Sequence, residues 1–264
     1  MESVKGIRKF FNQKMVTLLV LLVVVIVVFT VMTGGFGGTY LSLVNFRTIL
    51  SLMSVTGLLT IGVGCLIISG CIDLSTGASG TMCAIIMALM VQAGVPWPIV
   101  VILCLIFGMM VGVLNAVLVN VVGFQPFIAT MAVASVVQGI SLAISGGQPT
   151  RITNEAINYV GTTRIFNDVV PISILILVAC FIIYGLMLSK SKFGRSIYLV
   201  GGNKQAAKLS GIDPVKMSYI LFMNSGMLAA LGGMLMASRS KSATIMGVSA
   251  SQFAGVTAAM LGGI

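Results

Sequence analysis

Long apolar runs alternate along the chain with short polar links, and each run has few or no charged residues. About 20 apolar residues are enough for an α-helix to cross a bilayer, and the alternating pattern of membrane β-strands is absent. The pattern therefore predicts an all-α, polytopic transmembrane bundle with about seven spans and a further partial or re-entrant helix at the C-terminus. The predicted spans are Met15–Met32, Ile49–Ser69, Ser75–Ala93, Pro98–Val121, Pro126–Ile144, Pro171–Ser189 and Met217–Ala237.

The first run follows Lys5, Arg8, Lys9 and Lys14, and so begins like a secretory signal. A signal has an apolar core of roughly 7 to 15 residues and a small-residue cleavage site. This run instead reaches spanning length and continues into a Gly-rich segment, TGGFGGTY. We interpret it as a retained first helix, preceded by a cytoplasmic segment at residues 1–14.

The composition is typical of a membrane protein. Hydrophobic residues make up 58% of the chain, charged residues make up 8%, and the mean hydropathy is +1.14. A soluble domain of this length would carry roughly a quarter charged residues. We therefore expect residues 15–264 to form a single transmembrane domain whose surface contacts the lipid bilayer.

The net charge of +10 raises the question of a nucleic-acid partner, but the fifteen Lys and Arg residues lie in short loops beside apolar runs. That placement orients membrane helices, because positive residues are retained on the cytoplasmic side, and it argues against nucleic-acid binding. With the N-terminus inside, six crossings bring the chain back inside at residues 189–218, which carry six basic residues and one acid. The loop at residues 145–170 has no such excess.

The residues that catalysis or metal binding would need are scarce. The chain has five Cys without CxxC spacing and no His, which argues against a disulfide framework or a zinc site and excludes a catalytic triad that contains His. The GxxxxGK[ST] phosphate loop is also absent. We therefore predict no catalytic residue, no metal and no cofactor on this chain.

Small residues recur at intervals of four in two of the predicted spans. Such stripes let helices approach closely, so we expect Gly108, Gly112 and Gly233 to serve helix packing. The two sets are Gly108, Gly112 and Ala116, and Ser225, Ala229, Gly233 and Ala237.

Several polar side chains fall within or between the apolar runs, where each must find a partner or line water. Interhelical hydrogen bonds are one interpretation. The other is a pathway for a neutral, polar solute, since an ion carrier would need several buried carboxylates or a basic pair. The candidates are Asp73, Ser75, Asn115, Thr130, Gln138 and Asn224.

Asp73 is the only Asp, Glu, Lys or Arg between residues 49 and 93, within the stretch SGCIDLSTGASG. Asp, Ser and Thr before a helix cap its free N–H groups, and the positive helix end favours a carboxylate. We therefore expect Asp73 to cap a helix at a cytoplasmic turn close to the pathway, rather than to carry protons.

Three stretches resemble the membrane permeases of bacterial ABC sugar importers, the ribose, xylose, galactose and autoinducer-2 group. IISGCIDLSTGA, residues 67–78, is similar to that family's GGIDLSVG signature, and residues 108–150 follow its pattern of spaced glycines that ends in GGQP. GRSIYLVGGNKQAAKLSGIDPVK, residues 194–216, is similar to its cytoplasmic G.N..AA..SGI segment. The resemblance extends roughly from Phe46 to the C-terminus.

The resemblance implies a multi-pass subunit of the bacterial cell (inner) membrane that forms half of a dimeric pore with a second permease subunit. It implies a sugar-binding protein that delivers the substrate and a cytoplasmic ABC ATPase that uses the ATP. Residues 190–216 would be the cytoplasmic coupling loop, in which Asn203 caps a short helix and Gly211 ends it. The implied coupling residues are Asn203, Ala206, Ala207, Ser210, Gly211 and Ile212.

Other classes of function fit less well. An ion-coupled secondary transporter would also be polytopic, but it usually needs a buried acid or His within a span. A membrane-embedded enzyme would need catalytic groups that are absent here. An ABC permease for branched-chain amino acids shares the broader fold and stays open. Members of the sugar permease family usually continue several dozen residues further, so we expect the last spans to be missing.

Overall fold

The structure is a computed structural model that describes residues 13–263, with side chains from residue 16 onward. Apart from Gln13 and Lys14, the predicted cytoplasmic segment at residues 1–14 lies outside the described residues. The chain divides into two compact units, Met1–Ile49 and Leu50–Ile264.

Each predicted span corresponds to a helix, and the pattern of apolar runs gave most boundaries to within a few residues. The largest difference is at α2, which begins at Leu43 instead of Ile49. The helices of the described residues are α1 (Gln13–Met32), α2 (Leu43–Ile68), α3 (Thr76–Gln92), α4 (Trp97–Asn120), α5 (Pro126–Ser145), α6 (Glu155–Thr162), α7 (Ile172–Lys190), α8 (Lys192–Gly202), α9 (Lys204–Leu209), α10 (Pro214–Ser240) and α11 (Ser249–Leu261).

Five described helices are long and apolar enough to cross a membrane, namely α2, α4, α5, α7 and α10. Shorter apolar helices lie at Val16–Met32 and Thr76–Gln92. The prediction of a helical, multi-pass membrane protein is confirmed. The number of crossings and the side of the N-terminus stay predictions.

The first unit contains α1, a 3₁₀ turn at Gly35–Gly37 and the start of α2. The Phe29 ring stacks on Tyr40 with centroids 5.6 Å apart. Asn45 Nδ2 donates to the Tyr40 carbonyl at 2.7 Å. These contacts fold the segment that follows α1 back along its last turns.

Helix ends in the second unit follow local chemistry. α5 begins at Pro126, which lacks the N–H that a first turn leaves unbonded. Its last residue, Ser145, is followed by Gly146, whose φ of +61° lies in the left-handed region. α10 also begins with a proline, and Asp213 caps it by accepting from the N–H groups of Val215 and Lys216.

α10 packs closely against α4 because glycines remove the side chains between them. A Cβ atom at Gly108 would collide with the backbone of Gly226, and one at Gly112 would collide with the carbonyl of Phe222. Gly233 similarly lies against the backbone of Gly80 on α3. Side-chain-free contacts of this kind set the helix spacing in the second unit.

The outward faces of the second unit are apolar. Ile102 on α4, Ile128 on α5 and Ile183 on α7 are 56%, 57% and 61% exposed. Exposure of so many apolar side chains to water would be unfavourable in free energy. Contact with lipid or with another subunit removes that penalty.

Two antiparallel pairs of two-residue β-strands connect loops at the ends of the helices. β1 (Thr150–Arg151) pairs with β4 (Ser242–Ala243), and β2 (Arg164–Ile165) pairs with β3 (Val170–Pro171). The sequence pattern does not reveal them, because two-residue strands leave no periodicity.

α3 and α11 are short and lie antiparallel to each other. Thr81 on α3 meets Ser249 at the start of α11, and Gly77 on the first turn of α3 lies against Gln252. α11 has 13 residues. The partial or re-entrant C-terminal helix stays a prediction.

The contact between α4 and α10 predicts opposite effects for two Gly→Ala changes. Gly112→Ala places a methyl group against the Phe222 backbone and should destabilise the protein by about 1–3 kcal/mol. Gly139→Ala on α5 places it in open space and should leave stability unchanged or raise it by about 0.5–1 kcal/mol. Thermal unfolding in detergent measures both, and equal melting temperatures for the two variants would contradict this packing.

Candidate functional site

The link between α2 and α3, residues 69–75, carries a carboxylate into the bundle. The chain turns at Gly70, whose φ is +81°, and then runs without helical structure until α3 begins. Asp73 in this link is only 1% exposed. It lies beside Ser225, near the middle of α10, so the link does not stay at the end of the helices.

The Asp73 carboxylate accepts four hydrogen bonds. Oδ1 accepts from the backbone N–H and the hydroxyl of Ser75 at 2.8 and 2.7 Å, and from Asn115 Nδ2 on α4 at 3.4 Å. Oδ2 accepts from the Ser225 hydroxyl on α10 at 2.8 Å. Because a buried carboxylate is costly unless donors surround it, these bonds hold the link against both helices.

Thr130 connects the same link to α5. Its hydroxyl oxygen accepts from the Leu74 N–H at 3.1 Å and donates to the Pro126 carbonyl at 2.8 Å. Asn115 Nδ2 also donates to the Ser75 hydroxyl at 2.7 Å. We call this set the Asp73 network, and it consists of Asp73, Ser75, Asn115, Thr130 and Ser225.

The prediction that Asp73 caps α3 at a cytoplasmic turn is wrong in its geometry. Ser75 occupies the N-cap position of α3, and no side chain there bonds to the free N–H groups of the first turn. Asp73 bonds to Ser75 itself and to two other helices. A pattern of apolar runs and polar links predicts that each link lies at the membrane surface. It therefore does not reveal that the link at residues 69–75 folds into the bundle.

Some neutral hydrogen-bonding groups beside the network are uncommitted. Thr76 Oγ1, Ser79 Oγ and Asn115 Oδ1 are buried and have no partner among the described residues. Two of them lie on the first turn of α3, next to the link. Each of these oxygens is able to accept a hydrogen bond.

Two other predicted polar residues lie outside the network. Gln138 on α5 donates to the Ile245 carbonyl at 2.8 Å and accepts from the Ser249 hydroxyl at 3.2 Å, so it holds the start of α11. Asn224 on α10 accepts from the hydroxyl of Tyr184 on α7. Both amides make contacts between elements of the second unit.

Ser225 is the residue of this site that the sequence did not single out as polar. It belongs to a stripe of small residues, which predicts packing only. Gly62 on α2 lies close to the Ser225 backbone, so the residue packs as well as donating its hydrogen bond. A serine in place of glycine or alanine within such a stripe was the available signal.

The predicted coupling loop contains α8 and α9. Asn203 caps α9 by accepting from the N–H groups of Gln205 and Ala206 at 2.9 and 3.0 Å. α8 lies across the ends of two longer helices, because Gly194 contacts the end of α7 and Gly201 contacts the last residue of α2.

Gly211 ends α9 in the way that its position in the sequence predicts. Its φ is +78°, its N–H donates to the Lys208 carbonyl, and the N–H of Ile212 donates to the Ala207 carbonyl at 3.0 Å. This pair of bonds is the Schellman motif, which favours glycine at the left-handed position. Both ends of α9 are therefore fixed by local hydrogen bonds.

α9 has one buried and one exposed side. Ala207 is fully buried, whereas Leu209 is 91% exposed, and Ala206 and Ser210 are exposed as well. Ala207 packs into an apolar cluster drawn from five elements. The other members of this Ala207 cluster are Cys65, Leu66, Cys71, Ala116, Ile197, Val200, Met217, Leu221 and Phe222.

Within residues 13–263, no three His, Cys, Asp or Glu side chains gather in a way that could hold a metal ion. The absence of catalytic residues and cofactors stays a prediction. What the described polar groups offer is neutral hydrogen bonding around one carboxylate.

Comparisons with known proteins agree on one class. The profile of the family described as the branched-chain amino acid transport system / permease component matches residues 45–264. The ribose import permease protein of Bacillus subtilis is 31% identical over 227 residues, which are 85% of this chain and 70% of that protein. No solved structure matches the chain.

Two further relatives are permeases for other sugars. The galactose/methyl galactoside import permease protein of Haemophilus influenzae is 31% identical over 224 residues, covering 78% of this chain and 66% of that protein. The L-arabinose transport system permease protein of Escherichia coli is 33% identical over 150 residues, covering 57% of this chain and 45% of that protein. The matched stretches thus span between 45% and 70% of the length of the three relatives.

The apolar helices with their apolar outward faces define a multi-pass protein of the bacterial cell membrane. The match over residues 45–264 is more specific, and with it the chain belongs to the family of membrane permease components of ABC importers. This is a family of transport proteins rather than enzymes.

The Asp73 network predicts graded losses of stability. Asp73→Ala leaves three donors without their acceptor, namely the N–H and hydroxyl of Ser75 and the hydroxyl of Ser225. Each is worth about 1–3 kcal/mol, so this variant should not fold stably. Asp73→Asn keeps one acceptor oxygen and should cost less, about 1–3 kcal/mol. The exposed Asp168→Asn is the control and should change stability by less than about 0.5 kcal/mol.

Melting temperature and yield of the monodisperse protein in detergent measure these effects. If Asp73→Asn were as stable as the unmodified protein and lost only transport, the network would serve the pathway chemistry instead of the architecture.

Proposed function

We propose that the chain is the membrane-spanning subunit of an ATP-driven importer for a neutral monosaccharide or a similar polyol. It forms the pore with a second permease subunit, takes substrate from a sugar-binding protein and is driven by a cytoplasmic ABC ATPase. The partner ATPase binds and hydrolyses the ATP, and this chain needs no cofactor of its own.

The substrate class is supported by the chemistry of the site and by the relatives. The uncommitted oxygens beside the Asp73 network are neutral, and the one carboxylate is already engaged by four donors. Such groups suit hydroxyls better than ions. The relatives reported above are named as permeases for ribose, galactose and L-arabinose.

The exposed side of α9 is the observation that carries the proposed coupling. Leu209 is 91% exposed on a helix whose two ends are fixed, and Ala206 beside it presents little bulk. An exposed leucine on a short, small-residue helix suits insertion into a groove of a partner protein. The ATPase is the partner that this class of importer requires.

A movement of α9 has a direct mechanical route to the Asp73 network. Ala207 belongs to the same apolar cluster as Leu221 and Phe222 of α10 and Ala116 of α4. Ser225 lies one turn beyond Leu221 on α10, and Asn115 is next to Ala116 on α4. We infer that ATP-driven displacement of α9 shifts these two helices as rigid bodies and thereby moves the link that the network holds, which is an alternating-access mechanism.

A branched-chain amino-acid permease is the second candidate, because the family description names that substrate. An ion-coupled transporter is less well supported, since the Asp73 carboxylate is held by hydrogen bonds from Ser75, Asn115 and Ser225. One set of uptake measurements distinguishes all three.

Deleting the gene in its host should abolish uptake of one labelled sugar from a panel of ribose, xylose, galactose and arabinose, and restoring the gene should recover it. Leucine uptake should stay unchanged, and uptake should depend on ATP rather than on the proton gradient. Loss of leucine uptake alone would favour the amino-acid permease, and sensitivity to a protonophore at constant ATP would favour the ion-coupled transporter.

Gly211 tests the coupling loop. Gly211→Val forces a β-branched residue into the left-handed region and should destroy the Schellman end of α9, so we expect uptake to fall at least about tenfold with normal membrane insertion. The ATPase should also co-purify poorly with this variant. Gly211→Asn is the matched control, because asparagine tolerates that conformation, and it should retain most uptake. Normal uptake by Gly211→Val would exclude this loop as the coupling element.

A further inference from the structure

A second feature of the predicted cytoplasmic end has a different chemistry from the coupling face of α9. A pocket of about 450 Å³ lies between α9, the start of α10, the α4–α5 loop and the turn at Gly70. This volume is within the range of small-molecule sites, about 300–1,000 Å³. We call it the lysine pocket, after Lys204 and Lys208.

The two lysines make the pocket strongly positive. They lie one helical turn apart on α9, so both line the same wall. No Asp or Glu is among the described residues that line the pocket, and neither lysine forms an ion pair with a described residue. The nearby Asp213 is occupied in capping α10 and in a 4.0 Å contact with Lys216.

Neutral donors complete the polar part of the lysine pocket. Gln125 contributes an amide, and Asn120 and Ser218 are bonded to each other at 2.9 Å. Burial raises the pKa of the Cys71 thiol in the pocket wall, and the nearby Lys204 ammonium acts in the opposite direction.

One rim of the lysine pocket is apolar and exposed. Phe124 and Val215, which line it, are 51% and 44% exposed, and the neighbouring Val121 and Val122 are 72% and 54% exposed. A soluble anion has no apolar part that would contact this rim. A phospholipid combines a phosphate, which lysines bind as point charges, with chains that cover apolar side chains.

We propose that the lysine pocket binds the headgroup phosphate of an anionic phospholipid, with Lys204 and Lys208 on the phosphate and the acyl chains along Phe124 and Val215. The lipid holds the Lys204 and Lys208 side of α9 at the membrane surface, while Leu209 and Ala206, which lie further around the same helix, stay free for contact with a protein. This site does not depend on the identity of the transported substrate.

The test uses the full chain in nanodiscs of phosphatidylglycerol and phosphatidylcholine, with retained lipid measured by native mass spectrometry. The unmodified protein should retain phosphatidylglycerol in preference to phosphatidylcholine. Each lysine near a membrane surface changes lipid binding about fivefold, so Lys204→Gln with Lys208→Gln should lower the preference about twenty-five-fold. Lys190→Gln with Lys192→Gln removes the same charge outside the pocket and is the matched control.

Three results would overturn the proposal. The first is equal retention of the two lipids by the unmodified protein, and the second is an undiminished preference in the Lys204 and Lys208 double variant whose circular dichroism is unchanged. The third is complete displacement of the lipid by millimolar inorganic phosphate, which would assign the pocket to a soluble anion. None of these outcomes bears on sugar uptake, so the proposed function is tested separately.

Discussion

The arrangement of the second unit depends on supplying hydrogen-bond donors to one buried carboxylate. Asp73 enters the bundle on a link that is not helical, so neither its side chain nor its backbone can be satisfied by helical hydrogen bonds alone. Ser75, Asn115 and Ser225 provide the donors, and Thr130 accepts the N–H of Leu74. These bonds join the link to α4, α5 and α10.

Glycine contacts make that arrangement possible. α4 carries Asn115 and α10 carries Ser225, and the two side chains reach one carboxylate only if the helices approach closely. Gly108 and Gly112 allow that approach, since any larger residue would meet the backbone of α10. The close packing of α4 against α10 and the hydrogen bonds to Asp73 therefore depend on each other. A change in either one disturbs the other.

The sequence predicted the helices well because apolar runs of spanning length have few alternative structures. It also predicted the two ends of α9, since Asn203 and Gly211 act through bonds within a few residues. It failed for Asp73, because the direction of a short link depends on contacts with helices that are distant in the chain. For the same reason it assigned Ser225 only to packing. It also grouped Asn115 and Thr130 with Gln138 and Asn224, which bond outside the network.

The two fixed ends of α9 affect how fast a partner can bind this helix and how much conformational entropy is lost on binding. A helix of six residues is far too short to persist by itself in water. Here Asn203, the Schellman end and the burial of Ala207 hold its shape before any contact is made. A partner that binds such a surface orders almost nothing, so little conformational entropy is lost and association is not delayed by folding. Repeated docking and release in each transport cycle is compatible with an element of this kind.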